Sequence, residues 1–145
     1  MRHGEAEYSA SSDAARRLTP SGAQSVITRI QHNAERLSSV NRVIHSPYLR
    51  TIQTAELVAH GLNLTAMVDS SLWTPDADPL TALESLADHI DSTPLIVTHM
   101  PLISYVEALC CEGAIAYPRS FSCAEIAEIK VEWPAAGLGS LVRRF

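Results

Sequence analysis

Two arginines and two histidines stand where a phosphoryl group could be attacked and held. Met1-Arg2-His3-Gly4-Glu5 opens the chain, Ser46-Pro47-Tyr48-Leu49-Arg50-Thr51 supplies a second arginine, and Val97-Thr98-His99-Met100-Pro101 supplies a second histidine. A phosphoryl group in transit spreads negative charge over its equatorial oxygens, so transfer needs fixed cations around it and a nucleophile in line with the leaving atom. His3 can be that nucleophile, because neutral imidazole is nucleophilic and a phosphorylated imidazole is labile enough to be hydrolysed. Arg2, Arg50 and His99 can be the cations. The arginines suit the task through a planar fork that makes two parallel hydrogen bonds to phosphate oxygens, where lysine offers a point charge. The flanking Gly4, Glu5, Ser46 and Thr98 are expected to line the bound phosphate.

Each of these residues falls at a junction between elements. Gly4, directly after His3, lets the backbone approach an anion closely. Arg50 opens a helical stretch just after the turn signal Ser46-Pro47, and a helix N-terminus presents unpaired N–H groups to an anion. His99 ends the apolar run Leu95-Ile96-Val97 and precedes Pro101, which reads as a strand passing through a short loop into a helix. Open α/β sheets place ligands at such C-terminal strand ends.

The rest of the chain alternates helices and strands. From Thr19, a plausible cap with Pro20 in the first turn, Ala23, Val26, Ile27, Ile30, Ala34 and Leu37 repeat at helical spacing. Arg42 to His45 reads as a short strand, followed by a helix through about Ala59 that Gly61 could end in a left-handed conformation. Leu64 to Val68 is a candidate edge strand, and Pro79 to Ile90 predicts a third helix. Leu95 to Val97 suits a buried parallel strand, and Pro101 to Cys111 a further helix. Ile129, Val131 and Trp133 alternate with charged residues as a strand with one wet face does, with a bulge expected near Ala127; Leu141 to Phe145 could add a last strand or a loose tail.

Length and composition suit one compact domain over residues 1–145, with 46% hydrophobic and 19% charged residues and no linker-like run. Eleven basic against 16 acidic residues give a net charge of -5, which argues against general attraction to nucleic acid. No run approaches the length of a membrane span, and a cytoplasmic location is expected. Cys110, Cys111 and Cys123 lack zinc-ligand spacing and suggest buried packing. His32, His60 and His89 read as surface or interhelical residues; His45, on its short strand, either points into the core or supports the site. No metal or other cofactor is expected.

The order of these motifs resembles the histidine phosphatase superfamily, and within it the small phosphohistidine phosphatase branch typified by SixA. Arg2-His3-Gly4-Glu5 matches its nucleophile motif, Leu18-Thr19-Pro20-Ser21-Gly22 its helix start, Ser46 through Ala55 its second-arginine motif, and Val97 through Pro101 its second-histidine motif. The resemblance implies a phosphoglycerate mutase-like α/β fold: a three-layer sandwich with a mostly parallel central sheet and helices on both faces. It also implies the roles of the site residues: His3 attacks phosphorus, Arg2, Arg50 and His99 stabilise the charge, and water hydrolyses the phosphorylated His3. Members carry a hydrophobic strand running into the Arg-His-Gly motif, where this chain has only Met1. The first strand is therefore expected to be absent, leaving unpaired edges on its neighbours, whether through a trimmed chain, a misassigned start or direct pairing of the other strands.

The leaving group separates the candidate activities. An alkoxide leaves poorly without a protonating acid, whereas imidazole, with a reference pKa of about 6.5, leaves readily. Glu5, Asp76, Asp78 and Glu84 are the candidates for such an acid, but none lies in a recognised acid motif of the superfamily. Trp73-Thr74-Pro75 instead resembles a SixA-like segment. The branch resemblance implies phosphohistidine on a protein as substrate, with a histidine-containing phosphotransfer domain in phosphorelay signalling as partner. The alternatives are a small-molecule phosphomonoester phosphatase or mutase, and an inactive phosphate-binding protein.

Overall fold

The computed structural model describes residues 1–145. Strand β1 (Arg42–His45) lies between β2 (Met67–Asp69) and β3 (Pro94–Val97), all parallel. The pleat sends alternate residues to opposite faces, and the core divides accordingly. Val43, Leu95 and Val97 pack with Val26 and Ile30 of α1 (Pro20–His32) and Ala55, Val58 and Ala59 of α2 (Leu49–Gly61). Ile44 packs on the other face with Trp73, Ala82 of α3 (Pro79–Glu84) and Leu102 of α4 (Leu102–Glu112), and Ile96 lies against this second cluster. These are the three expected layers.

The two helices on the first face come very close. A Cβ on Gly61 would meet Ile30 Cγ2 at 2.9 Å, so glycine here serves α1–α2 contact rather than the left-handed stop anticipated for it. The helix ends instead through Leu62, and Asn63 takes the positive φ of 54°. Likewise a Cβ on Gly4 would lie 2.8 Å from the Gly22 carbonyl, so the start of α1 rests directly on the segment carrying His3.

Several boundaries differ from the periodicity. The first helix stops at His32, with Asn33 as its cap, and residues 33–39 form turns that still bring Leu37 into the core. The third helix becomes a 3-10 segment (Ser85–His89) after one and a half turns. At the C-terminus, β4 (Ala127–Val131) pairs antiparallel with β5 (Gly139–Arg144), so the last residues are a strand. The bulge falls between Glu128 and Ile129, and Trp133 sits in the following turn, about half exposed.

Residues 1–3 join the two sheets at the site end. Thr98 N–H donates to Met1 O (3.0 Å) and His3 N–H to Thr98 O (3.1 Å), while Arg2 N–H donates to Glu125 O (3.0 Å) and Ala124 N–H to His3 O (3.1 Å). The Met1 ammonium donates to Ile96 O at 2.7 Å. Beyond it β3 and β4 belong to separate sheets and face each other across a slot. Cavities of about 350 and 370 Å³ lie on its two faces, both lined by Met1, Pro94, Ile96, Ala127 and Ile129. His3 itself is bonded on both sides. No helix is long and apolar enough to cross a membrane.

Candidate active site

His3, Arg50 and His99 arrive from three elements: the segment paired to Thr98, the first turn of α2 and the loop after β3. All three are buried, at 8%, 4% and 1% exposure. The His3 and His99 rings meet edge to face with centroids 5.1 Å apart, and Arg50 Nε–H donates to His3 Nε2 at 3.2 Å. On the other side of the ring, His3 Nδ1 lies 2.6 Å from the Gly4 carbonyl. Only Nδ1–H can donate there, so Nε2 carries the free lone pair, and Arg50 contacts that lone pair.

Arg2 sends Nη1–H to Phe121 O (2.6 Å), and its buried Nε has no partner. His99 Nε2 lies 2.8 Å from the Ser46 hydroxyl, while its buried Nδ1 is also unpartnered. Unmet buried polar atoms are costly, and a bound oxyanion is the kind of group that would satisfy them.

Burial pushes the His3 pKa down to about 4, and the charges of Arg50, Arg2 and Arg16 push the same way, against the bond to Gly4. His99 is pushed down to about 3, by burial first and then by His3 and Arg50. The consequence for His3 matches a nucleophile, which must be neutral. For His99, expected as a cation, burial favours the neutral ring, which offers a single N–H.

The same shifts set a pH dependence of stability. Unfolded histidine takes up a proton near its model value of 6.5, whereas the folded rings resist until about 4 and 3. The unfolded chain therefore binds more protons through that window, and stability, greatest above it, falls as pH drops. Acidification from about pH 7.5 to about 5.5 should cost about 2 to 3 kcal/mol from these two rings. Denaturant titrations at the two pH values measure the drop, and a flat profile would contradict the burial of neutral rings.

Among the flanking residues, Gly4 N–H donates to Thr54 Oγ1 (3.2 Å), and Ser46 bonds His99 as above. The side chains of Thr98 and Glu5 bond to other parts of the protein. The Thr98 hydroxyl donates to Trp73 O (2.7 Å), and its backbone is taken up by Met1 and His3. The Glu5 carboxylate accepts from Thr19 Oγ1 (2.9 Å) and Ser21 Oγ (2.6 Å), which lowers its pKa and ties it to the start of α1. Of the acid candidates, Asp78 is the N-cap of α3, accepting from Thr81 N–H and Oγ1–H; Asp76 and Glu84 are exposed and make no side-chain hydrogen bond or ion pair. His45 is buried, with Nδ1 2.9 Å from Ser46 O, so it braces the backbone that carries Ser46. Cys110 is buried, as expected, and Cys111 and Cys123 partly so.

Sequence reasoning passed over four neighbours. Tyr48 stacks edge to face on His99 (4.9 Å) and lies under the Arg50 guanidinium (4.9 Å). Thr54, one turn after Arg50, holds Gly4; its signal was a polar residue continuing, with Arg50 and Thr51, the buried face of α2. Asp13 reaches Arg50 from a loop, with Nη2–H donating to Oδ2 at 2.9 Å. Arg16, bonded to the same carboxylate at 3.0 Å, brings another cation near His3.

Comparison with known proteins agrees with this geometry. The model of the histidine phosphatase superfamily (branch 1) matches residues 1–73. The phosphohistidine phosphatase SixA of Escherichia coli (strain K12) is 30% identical over 139 residues, which cover 91% of this chain and 83% of that protein. A SixA homolog of Haemophilus influenzae is 34% identical over 74% of this chain and 73% of its own. A solved structure of the protein histidine phosphatase SixA complexed with tungstate superposes with a TM-score of 0.86 at 30% identity, covering 99% of this chain and 92% of that one. The chain belongs to the histidine phosphatase superfamily, branch 1.

Proposed function

We propose that this protein is a phosphohistidine phosphatase that removes phosphate from a histidine on a protein, through a phosphorylated His3, with residues 1–145 acting as a single histidine phosphatase domain. The observation that carries the reading is His3 itself: Nδ1–H is held by Gly4 O, and Nε2 presents a neutral lone pair beside Arg50 and His99. The relatives at 30% and 34% identity, which are phosphohistidine phosphatases, support the substrate class.

In the first step Nε2 attacks phosphorus as the P–N bond to the substrate imidazole breaks, and Arg2 and Arg50 bind the spread negative charge. A substrate ring protonated on its far nitrogen leaves as neutral imidazole and needs no acid. In the second step water attacks the phosphorylated His3. The Nδ1–H kept by Gly4 lets His3 depart as a neutral ring, releasing inorganic phosphate. His99, its neutral ring favoured by burial, donates one hydrogen bond, and the nearby dianion raises its proton affinity.

The carboxylate against the site fits a leaving group of this kind. Hydrogen bonds from Arg16 and then Arg50 lower the pKa of Asp13, keeping it ionised and a poor proton donor to an alkoxide. The partner is a histidine-containing phosphotransfer domain of a cytoplasmic phosphorelay. The test is release of phosphate, in chelator, from such a phosphorylated domain and from an alkyl phosphate. Phosphohistidine should turn over faster by at least about 100-fold, reflecting its better leaving group. Faster turnover of the alkyl ester would sink the proposal in favour of a small-molecule phosphatase, and phosphate binding without any turnover would favour a silent binding protein.

A further inference from the structure

Arg50 is not free in the resting site. Its Nη2–H donates to Asp13 Oδ2 (2.9 Å) and its Nη1–H to the Asp13 carbonyl (2.6 Å), while Nε–H reaches His3 Nε2. Two oxygens set side by side on a guanidinium fork are what a phosphoryl group would present to it. Asp13 Oδ1 also takes Arg16 Nη1–H at 3.0 Å, so one carboxylate draws on two guanidiniums beside the nucleophile. Because Arg50 is almost wholly buried, its donors cannot turn to a second anion elsewhere. With three of the five guanidinium N–H groups already taken, an incoming phosphate that grips the Nη1/Nη2 fork competes with Asp13 for it.

The two competitors differ in how firmly they are held. The Asp13 side chain is 53% exposed and sits in a three-residue 3-10 turn (Asp13–Ala15) with no buried residue, within a loop whose neighbouring residues are largely exposed. Moving it aside uncovers no core. A phosphoryl group brings more charge and further oxygens for Arg2 and His99, whose Nε and Nδ1 are unpartnered.

We infer that Asp13 is an internal anion that occupies the Arg50 fork when the site is empty, is displaced by the substrate phosphoryl group, and returns to expel product phosphate. The inference rests on the phosphatase reading above. It makes Asp13 a determinant of anion selectivity and product release: weakly charged anions fail to displace it, and inorganic phosphate is held less tightly than the arginines alone would hold it.

Equilibrium binding of orthophosphate, by titration calorimetry, tests this on the wild type, Asp13→Asn, Asp13→Ala and Arg50→Ala, with thermal unfolding to confirm that each variant folds. Both Asp13 variants should bind orthophosphate more tightly, by about five- to tenfold for loss of a charge-assisted competitor, with product inhibition of turnover strengthened to match. Unchanged or weaker binding in both, with Arg50-dependent binding intact in the wild type, overturns the inference and makes Asp13 a residue that positions Arg50. Absence of any Arg50-dependent binding in the wild type overturns both the phosphate-site reading and this inference with it.

Discussion

Replacing His3 by alanine should lower phosphate release from a phosphohistidine substrate by about 10⁴-fold or more, because the covalent route is lost rather than weakened. In the folded protein His3 Nε2 is the lone pair facing Arg50, and the ring is kept neutral by burial and by the surrounding arginines. Alanine removes both the attacking atom and the hydrogen bond to Gly4 O, so a parallel His3→Gln variant separates chemistry from local packing. Glutamine keeps a polar group of similar reach but cannot form a phosphorylated intermediate. Both variants should still bind phosphate through Arg2 and Arg50. Steady-state assays alongside thermal unfolding measure the loss; retention of more than a tenth of wild-type turnover by a folded variant would place the nucleophile elsewhere.

Arg50→Lys should cost about 10² to 10³ in kcat/KM even though the charge is kept. Arg50 presents Nε–H, Nη1–H and Nη2–H in one plane toward His3 and the anion position, with its guanidinium stacked on Tyr48. A lysine ammonium cannot reproduce the fork. Since the phosphoryl group becomes trigonal, with its equatorial oxygens in the arrangement a planar fork can follow, only on reaching the transition state, kcat should fall together with kcat/KM. A loss confined to KM, or smaller than about fivefold, would show that a point charge suffices.

The part of this site legible in the sequence is the part encoded by local junctions. His3-Gly4, the Ser46-Pro47 turn before Arg50, and the apolar run ending at His99 each carry a residue type with a backbone signal beside it, and the folded protein brings His3, Arg50 and His99 together. The strands Arg42–His45 and Pro94–Val97 were equally plain because they are short apolar runs bounded by polar or turn residues. Three kinds of information were not local. Asp13 meets Arg50 across 37 positions from an exposed loop with no periodicity to mark it. The lowered pKa of His99 follows first from its burial, which no local pattern records. The fate of Gly61 was decided by Ile30 on another helix, and tertiary contact overrode its preference for a left-handed stop.

Phosphate on His3 during turnover is the most direct signature of the covalent route. The protein would be mixed with a phosphohistidine-bearing phosphotransfer domain, quenched in alkali within the first turnover, and its peptides mapped by mass spectrometry, with phosphorus NMR to assign the nitrogen. A transient phosphoryl group on Nε2 of His3 should appear before free phosphate and decay with it. Phosphate release without any phosphoenzyme, or a phosphoryl group on another residue, would contradict that route.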